Sequence, residues 1–299
     1  MGQDHMTAMR QLQIPKEWGS LPLRAKERPV VVLGGTDTGK TTLATYCYQQ
    51  LQAHKIGTGL IDLDLGQNSL GMPTTVGLEV PLDSGVMSRR GRKRHWRCFV
   101  GGISPVGCEP RLLSALVRLR GTAQQIGIRT LVVDTSGFIS VERGAAHLKW
   151  AMIDVLRPCL VLALQRDREL EPIVEPLRHQ RGVEVWDVPV VSGLRSRSRE
   201  ERRAYRQACY RRYFARARRW LLSYGDLACF AHGAWRRHQL LALEDDHGFV
   251  VRLALFDGVA EGGIWLRTPA LSRGRRVTAV RPGRLWLEPG SYREHIWAF

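Results

Sequence analysis

The sequence predicts an α/β fold, a parallel sheet with helices on both faces, followed by a small β-rich module. Two observations carry this. From residue 29 to about 165, short apolar runs alternate with stretches of helical periodicity, the pattern of a parallel sheet connected through helices. Beyond residue 224 the pattern changes to short runs broken by Asp, Gly and Pro turns, as in "QLLALEDDHGFVVRLALFDG" and "RRVTAVRPGRLWLEPG". With 299 residues, 44% of them hydrophobic, the chain can bury the core of one large domain or of a large and a small one.

Each element follows from its local pattern. Residues 1–28 are polar and mixed and form an arm, in which "IPKEWGSL" is the part suited to dock on the body. "RPVVVLGG" gives a strand over 29–33, followed by a glycine loop and a helix over about 40–54. Then come a strand over 58–64, a long irregular basic segment, a helix over 110–126, the strand "TLVVDTS", a helix over 144–155 and the strand "CLVLALQ". After "VPVVSGL" an arginine-dense helical stretch extends to about 222. The expected division is an arm (1–28), an α/β domain (29–222) that includes the arginine-rich segment at about 193–220, and a β-rich domain (223–299).

Composition excludes several classes. The six cysteines (Cys47, Cys98, Cys108, Cys159, Cys209, Cys229) contain no C-x-x-C pair, which argues against a zinc site or a disulfide framework and favours a reducing, cytoplasmic setting. No apolar run approaches the roughly 18 residues of a membrane span, so no membrane partner is expected. Lys and Arg number 45 against 28 Asp and Glu, a net charge of +17, which points to a polyanionic partner.

The most specific motif is "GGTDTGKTT". Gly34, Gly39, Lys40 and Thr41 have the G-x-x-x-x-G-K-[ST] spacing of a P-loop, placed after an apolar strand and before a helical pattern. In this setting Gly34, Gly35, Thr36, Asp37, Thr38, Gly39, Lys40, Thr41 and Thr42 would cradle phosphates with main-chain N–H groups and the positive end of the helix. Lys40 would reach the β and γ phosphates, and the Thr41 hydroxyl would ligate magnesium.

"LIDLDLGQNSLGMPTT" places Asp62 and Asp64 where a buried strand should be apolar. With alternating side chains the two carboxylates would point the same way, at a cost relieved by a metal ion, a cation or open water. In a parallel sheet the strand ends open on one side, so this pair would face the P-loop.

Arginine dominates the charge. Residues 192–219 hold eleven arginines against Glu200 and Glu201, too few acids to pair them. Arg199, Arg202, Arg203 and Arg206 share one helical face at i, i+3, i+4, i+7 spacing. Their planar forks suit phosphates of a nucleotide or of a nucleic-acid backbone, the second role falling to residues such as Arg199 and Arg206. "RRGRKRHWR" over 89–97 adds six basic residues around Trp96, and Arg94 with Trp96 suits a single strand that offers phosphates and stacking bases.

Taken together, these segments resemble the polynucleotide 5′-hydroxyl kinase family, P-loop RNA kinases of tRNA splicing, pre-mRNA 3′-end formation and pre-rRNA processing. Besides the P-loop, "DLDLGQNSLGMP" is similar to the family's Asp-x-Gly-Gln with a downstream Pro. "FVGGISPVG" is similar to its Ser/Thr-Pro segment, "DTSGF" to its Thr-x-Gly-Trp motif, and "GLRSRSREERRAYRQACYRRYF" to its arginine lid. The resemblance covers about residues 29–222. It implies a P-loop NTPase fold in which Asp64 acts on magnesium and serves as general base. Asp62 is its helper, Gln67 an orienting group, and Arg197 and Arg202 the lid arginines. It further implies substrate contacts through Ser104, Thr135, Gly137 and Phe138, the last standing where the family has Trp.

The implied activity is transfer of the ATP γ-phosphoryl group to the 5′-hydroxyl of RNA or DNA, with Mg2+ as cofactor, GTP as the alternative donor, and Asp64 or Asp62 accepting the hydroxyl proton. Two other readings stand beside it. One is a nucleotide-bound RNA-processing scaffold with little kinase activity. The other is a small-molecule kinase or ligase, since "GTDTGKT" also resembles the loop of dethiobiotin-synthetase-like enzymes.

Overall fold

The computed structural model describes residues 15–21, 28–82, 93–191, 193–225, 228–229, 235–271 and 276–296. Most of the arm (1–14 and 22–27) and the basic residues at 89–92 lie outside the described residues.

Seven strands form the first sheet: β1 (Val30–Gly34), β2 (Thr58–Asp62), β3 (Thr75–Pro81), β4 (Lys93–Phe99), β5 (Thr130–Asp134), β6 (Leu160–Gln165) and β7 (Glu184–Pro189). Their order is β4-β3-β2-β5-β1-β6-β7. β2, β5, β1, β6 and β7 run parallel, whereas β3 and β4 are antiparallel additions at one edge. The helices are α1 (Lys40–Ala53), α2 (Glu109–Gln125), α3 (Ala145–Leu156) and α4 (Glu171–Arg178). Strand pleating divides the core: Val31 and Leu33 pack with Leu116 of α2 and Ile153 of α3, while Val30 and Val32 pack with Leu43 and Leu51 of α1. Lys16–Ser20, a 3-10 turn in the arm, inserts Trp18 into the α1 face, with its ring 5.6 Å from that of Tyr46.

The expected irregular basic segment contains β3 and β4. Three basic side chains and a histidine in "KRHWRCF" mask a strand that is an edge, where charges are tolerated and discourage pairing with other chains. The charge is partly absorbed, because Lys93 pairs with buried Glu79 and Arg97 donates to the Leu70 carbonyl at 2.7 Å.

The arginine-rich helix α5 (Arg199–Phe214) starts at a capping box: Glu201 N–H donates to Ser198 Oγ at 3.1 Å and Ser198 N–H to Glu201 Oε2 at 2.7 Å. It ends at Phe214 rather than near 222, and β8 (Arg218–Ser223) enters a second sheet. The reason is alternation, since Trp220 and Leu222 pack inward against that sheet. β10 (Gln239–Glu244), β11 (Val250–Ala260), β12 (Gly263–Thr268), β13 (Ala279–Leu287) and β14 (Glu294–Ile296) complete the path β14-β13-β10-β11-β12-β8, with β9 (Ala228–Cys229) beside β13. Tyr210 and Phe214 of α5 share a core with Phe99 at the end of β4 and with Leu240, Leu253 and Leu285 of the second sheet. This core fixes α5 against both sheets. Among the described residues no helix is long and apolar enough to cross a membrane.

Candidate active site

The C-terminal ends of β1, β2 and β5 meet at the P-loop. Gly39 adopts φ 94° and Asp37 φ 55°, turning the chain from β1 into α1. A Cβ on Gly34 would lie 2.7 Å from Thr38 Oγ1 and 2.8 Å from the Leu164 carbonyl oxygen, so glycine is required there by close approach. Lys40 is buried, with its ammonium on the Gly35 carbonyl. Burial pushes its pKa down, against the opposing charges of Asp134, Asp64 and Asp37.

Two carboxylates side by side on neighbouring strands come from β2 and β5, whose register pairs Asp62 with Asp134. Asp62 is committed to its own turn: Oδ1 accepts from Asp64 N–H at 2.8 Å, and Oδ2 from the main chain and hydroxyl of Ser69, both at 2.6 Å. Asp64 lies beyond the strand end, partly exposed, and its Oδ1 accepts from Gly66 N–H at 2.8 Å and Gln67 N–H at 2.9 Å. Asp62 therefore sets the turn and the turn aims Asp64. Burial raises the Asp62 pKa, and the Asp134 and Asp64 charges add to this.

Asp134, not among the residues the sequence pointed to, belongs to the same rim. Its Oδ2 accepts from Thr41 Oγ1 at 2.6 Å, while its buried Oδ1 has no partner in the structure. Burial raises its pKa, opposed by the Thr41 hydrogen bond and the Lys40 charge. The signal was present, because "TLVVD" is an apolar strand ending in Asp, like "LID". Lys149 was also missed. This lysine on an apolar helix face is fully buried, donates to the Ser136 carbonyl at 2.8 Å, and is pushed down to about 7 by burial. Arg166, whose guanidinium donates to the Asp37 carbonyl at 3.1 Å, carries no sequence signal.

The arginine-rich segment meets this rim through Asp37. Its Oδ2 accepts from Arg202 at 2.8 Å, Arg197 N–H at 2.9 Å and Ser196 Oγ at 3.3 Å. Burial opposes ionisation, yet Arg202 and the Arg197 N–H hold the Asp37 carboxyl below the usual range. The Arg197 guanidinium reaches Gln67 Oε1 at 2.6 Å, linking lid, P-loop and the 64–67 turn.

The family described as mRNA cleavage and polyadenylation factor CLP1 P-loop matches residues 34–216, more than half of the chain. The chain belongs to that family. A polyribonucleotide 5′-hydroxyl-kinase of Methanocaldococcus jannaschii is 29% identical over 202 residues, covering 68% of this chain and 54% of the relative. One of Pyrococcus furiosus is 31% identical over 205 residues, covering 68% and 56%. The chain thus spans about half the length of these relatives. The solved structure of a wild-type Clp1p–Pcf11p complex shares the fold, with a TM-score of 0.64 at 16% identity over 86% of this chain and 74% of the other.

The remaining expected residues of this P-loop family member are dispersed. Gly137 lies against the P-loop, where a Cβ would sit 2.8 Å from Thr36 Cα, and Thr36 Oγ1 donates to the Gly137 carbonyl at 3.4 Å. Thr135 is buried with its hydroxyl on the Val32 carbonyl at 2.8 Å, an internal tie between β5 and β1. Phe138 is half-buried, with Arg143 6.0 Å from its ring. The loop carrying Ser104 lies against the 64–67 turn, since a Cβ on Gly66 would be 3.2 Å from the Ile103 carbonyl oxygen.

Arg94 and Trp96 stack 4.5 Å apart on β4, four strands from β1, or about 19 Å by strand spacing. They lie well away from the phosphate cradle. The α5 face also divides: Arg202 turns to Asp37, while Arg199 and Arg203 remain exposed. Arg206, expected to grip nucleic acid, is instead held by buried Glu294 through Nε at 2.8 Å and 2.9 Å, because α5 docks on the second sheet there.

Proposed function

We propose that this protein is an ATP- and magnesium-dependent polynucleotide kinase that phosphorylates the 5′-hydroxyl of RNA. The observation that carries the reading is the convergence of the P-loop, the Asp64–Gln67 turn and the lid, joined by Arg197. The relatives named as polyribonucleotide 5′-hydroxyl-kinases support it and favour RNA over DNA.

Residues on the rim fit a metal-bound triphosphate: Lys40 and the P-loop amides meet phosphate, and Thr41, Asp64 and the unpartnered Asp134 Oδ1 offer oxygen ligands. Among the described residues no three His, Cys, Asp or Glu side chains form a metal-holding group, which suits magnesium bound by one or two carboxylates together with phosphates. When bound, the ion neutralises charge on the phosphates. Asp64, pinned by two main-chain N–H groups and open to the rim, accepts the proton as the RNA 5′-oxygen bonds to the γ-phosphorus and ADP leaves. Arg197 and Arg202 exchange their hold on Gln67 and Asp37 for the transferring phosphoryl group, with Asp37 parking them in place.

The test is transfer of label from γ-labelled ATP to RNA and DNA oligonucleotides with 5′-hydroxyl ends. Label on RNA is expected with the wild type and absent with Lys40→Ala, which retains RNA binding. Binding of both ATP and RNA without transfer by the wild type would refute the kinase reading.

A further inference from the structure

The second sheet carries a cationic cluster built around one buried acid. Asp257 keeps 1% of its side chain exposed and meets three guanidinium groups through Nε: Arg219 at 2.9 Å, Arg237 at 3.1 Å and Arg267 at 3.7 Å. The arginines keep 54%, 66% and 52% of their side chains exposed, and the cluster sums to 3 − 1 = +2. Arg219 also lies over the Trp265 ring at 4.1 Å.

This arrangement is costly unless an anion uses it. Arg219 and Arg267 are direct cross-strand partners on β8 and β12, where like charges repel. Asp257 sits at the irregularity between Phe256 and Gly258 on β11, which frees its side chain from the ladder to reach both. One carboxylate thereby hydrogen-bonds Arg219 and Arg237 and draws Arg267 within ion-pair distance. Each guanidinium meets it through Nε, which leaves the Nη edges for another acceptor.

Position identifies the acceptor. Trp220, Leu222, Ile264 and Leu266 point to one side of the second sheet, so alternation puts Arg219, Trp265 and Arg267 on the other, the side that receives α5. The N-terminal end of α5 sits at the P-loop, its last turns carry exposed Arg211 and Arg212, and exposed Arg216 follows before the chain reaches Arg219 of the cluster. Exposed arginines therefore accompany the chain from the rim to the cluster. The 16 residues of α5 span about 24 Å, the reach of about seven stacked nucleotides.

We propose that the Arg219–Arg237–Arg267 cluster on the second sheet is a binding site for the backbone phosphates of the RNA whose 5′ end occupies the P-loop, engaged about seven nucleotides downstream. The site rests on the kinase reading for its ligand and extends it to the second sheet.

The experiment uses the full chain with Arg237→Gln and Arg267→Gln; Arg219 stays, so Asp257 keeps a partner. Fluorescence anisotropy with 3′-labelled, 5′-hydroxyl RNAs of 5 and 20 nucleotides gives Kd across a salt series, and phosphoryl transfer is measured in parallel. Each substitution is expected to weaken binding of the longer RNA about threefold to tenfold and lower its salt slope by about one, leaving the shorter RNA unchanged. Unchanged Kd and slope for the longer RNA in both variants would overturn the site, whatever transfer shows. Loss of length-dependent binding in the variants with no transfer by the wild type would support the site and refute the kinase reading instead. Tighter occupation by poly-L-glutamate than by RNA would overturn RNA as the occupant in favour of an acidic protein.

Discussion

Arg206→Ala separates a structural from a nucleic-acid role for the arginine face of α5. Arg206 and Glu294 keep 12% and 2% of their side chains exposed, and Glu294 accepts two hydrogen bonds from Nε at 2.8 Å and 2.9 Å. Removing one partner leaves a buried carboxylate without its cation, which costs about 3–5 kcal/mol. At roughly 2–3 °C per kcal/mol for a chain of this size, the melting temperature should fall by about 6–15 °C. Differential scanning calorimetry checks this. Arg206→Met combined with Glu294→Leu should recover most of the loss, because an apolar pair removes both charges. The protein should keep its RNA affinity at a temperature where the single variant is folded. A melting temperature changed by less than about 1 °C, with RNA affinity reduced several-fold, would refute the strut and restore the nucleic-acid role.

Asp134→Asn and Asp64→Asn should each lower kcat by about 10²–10³, with little change in melting temperature for Asp64→Asn, as single-turnover assays and thermal scans can show. Retained activity in Asp134→Asn would remove Asp134 from the site. Gly137→Ala should cost about 1–3 kcal/mol in urea denaturation and weaken ATP binding, because its Cβ would strike the Thr36 main chain. Lys149 binds fewer protons in the fold than in the unfolded chain between about pH 7 and its ordinary 10.5, so stability should rise with pH across that window. Its full burden is present below pH 7. Lys149→Met should flatten the rise in denaturation midpoint, and parallel curves for the two proteins would refute the buried charge.

Local chemistry determined much of this protein. The P-loop and its strand–loop–helix setting were legible because glycine, lysine and hydroxyl at fixed spacing have one geometry, and β1, β5 and β6 were legible because strands buried on both faces are apolar runs. Asp64 and Asp62 stood out as charges at a buried strand end. Only the tertiary structure separated their roles, since Asp62 is spent on the Ser69 and Asp64 N–H groups and Asp64 is left on the rim. The same strand-end pattern at Asp134 gained meaning once β5 lay between β1 and β2, beside Thr41. The arginines mark the other limit. Their spacing put Arg199, Arg202, Arg203 and Arg206 on one helical face, but charge alone does not name a partner. Asp37 and Glu294 lie 165 and 88 residues away from Arg202 and Arg206, and folding chose them. β4 and β8 were hidden for a related reason: edge strands tolerate arginines, so their identity rests on the neighbour that supplies hydrogen bonds, a property no local pattern contains.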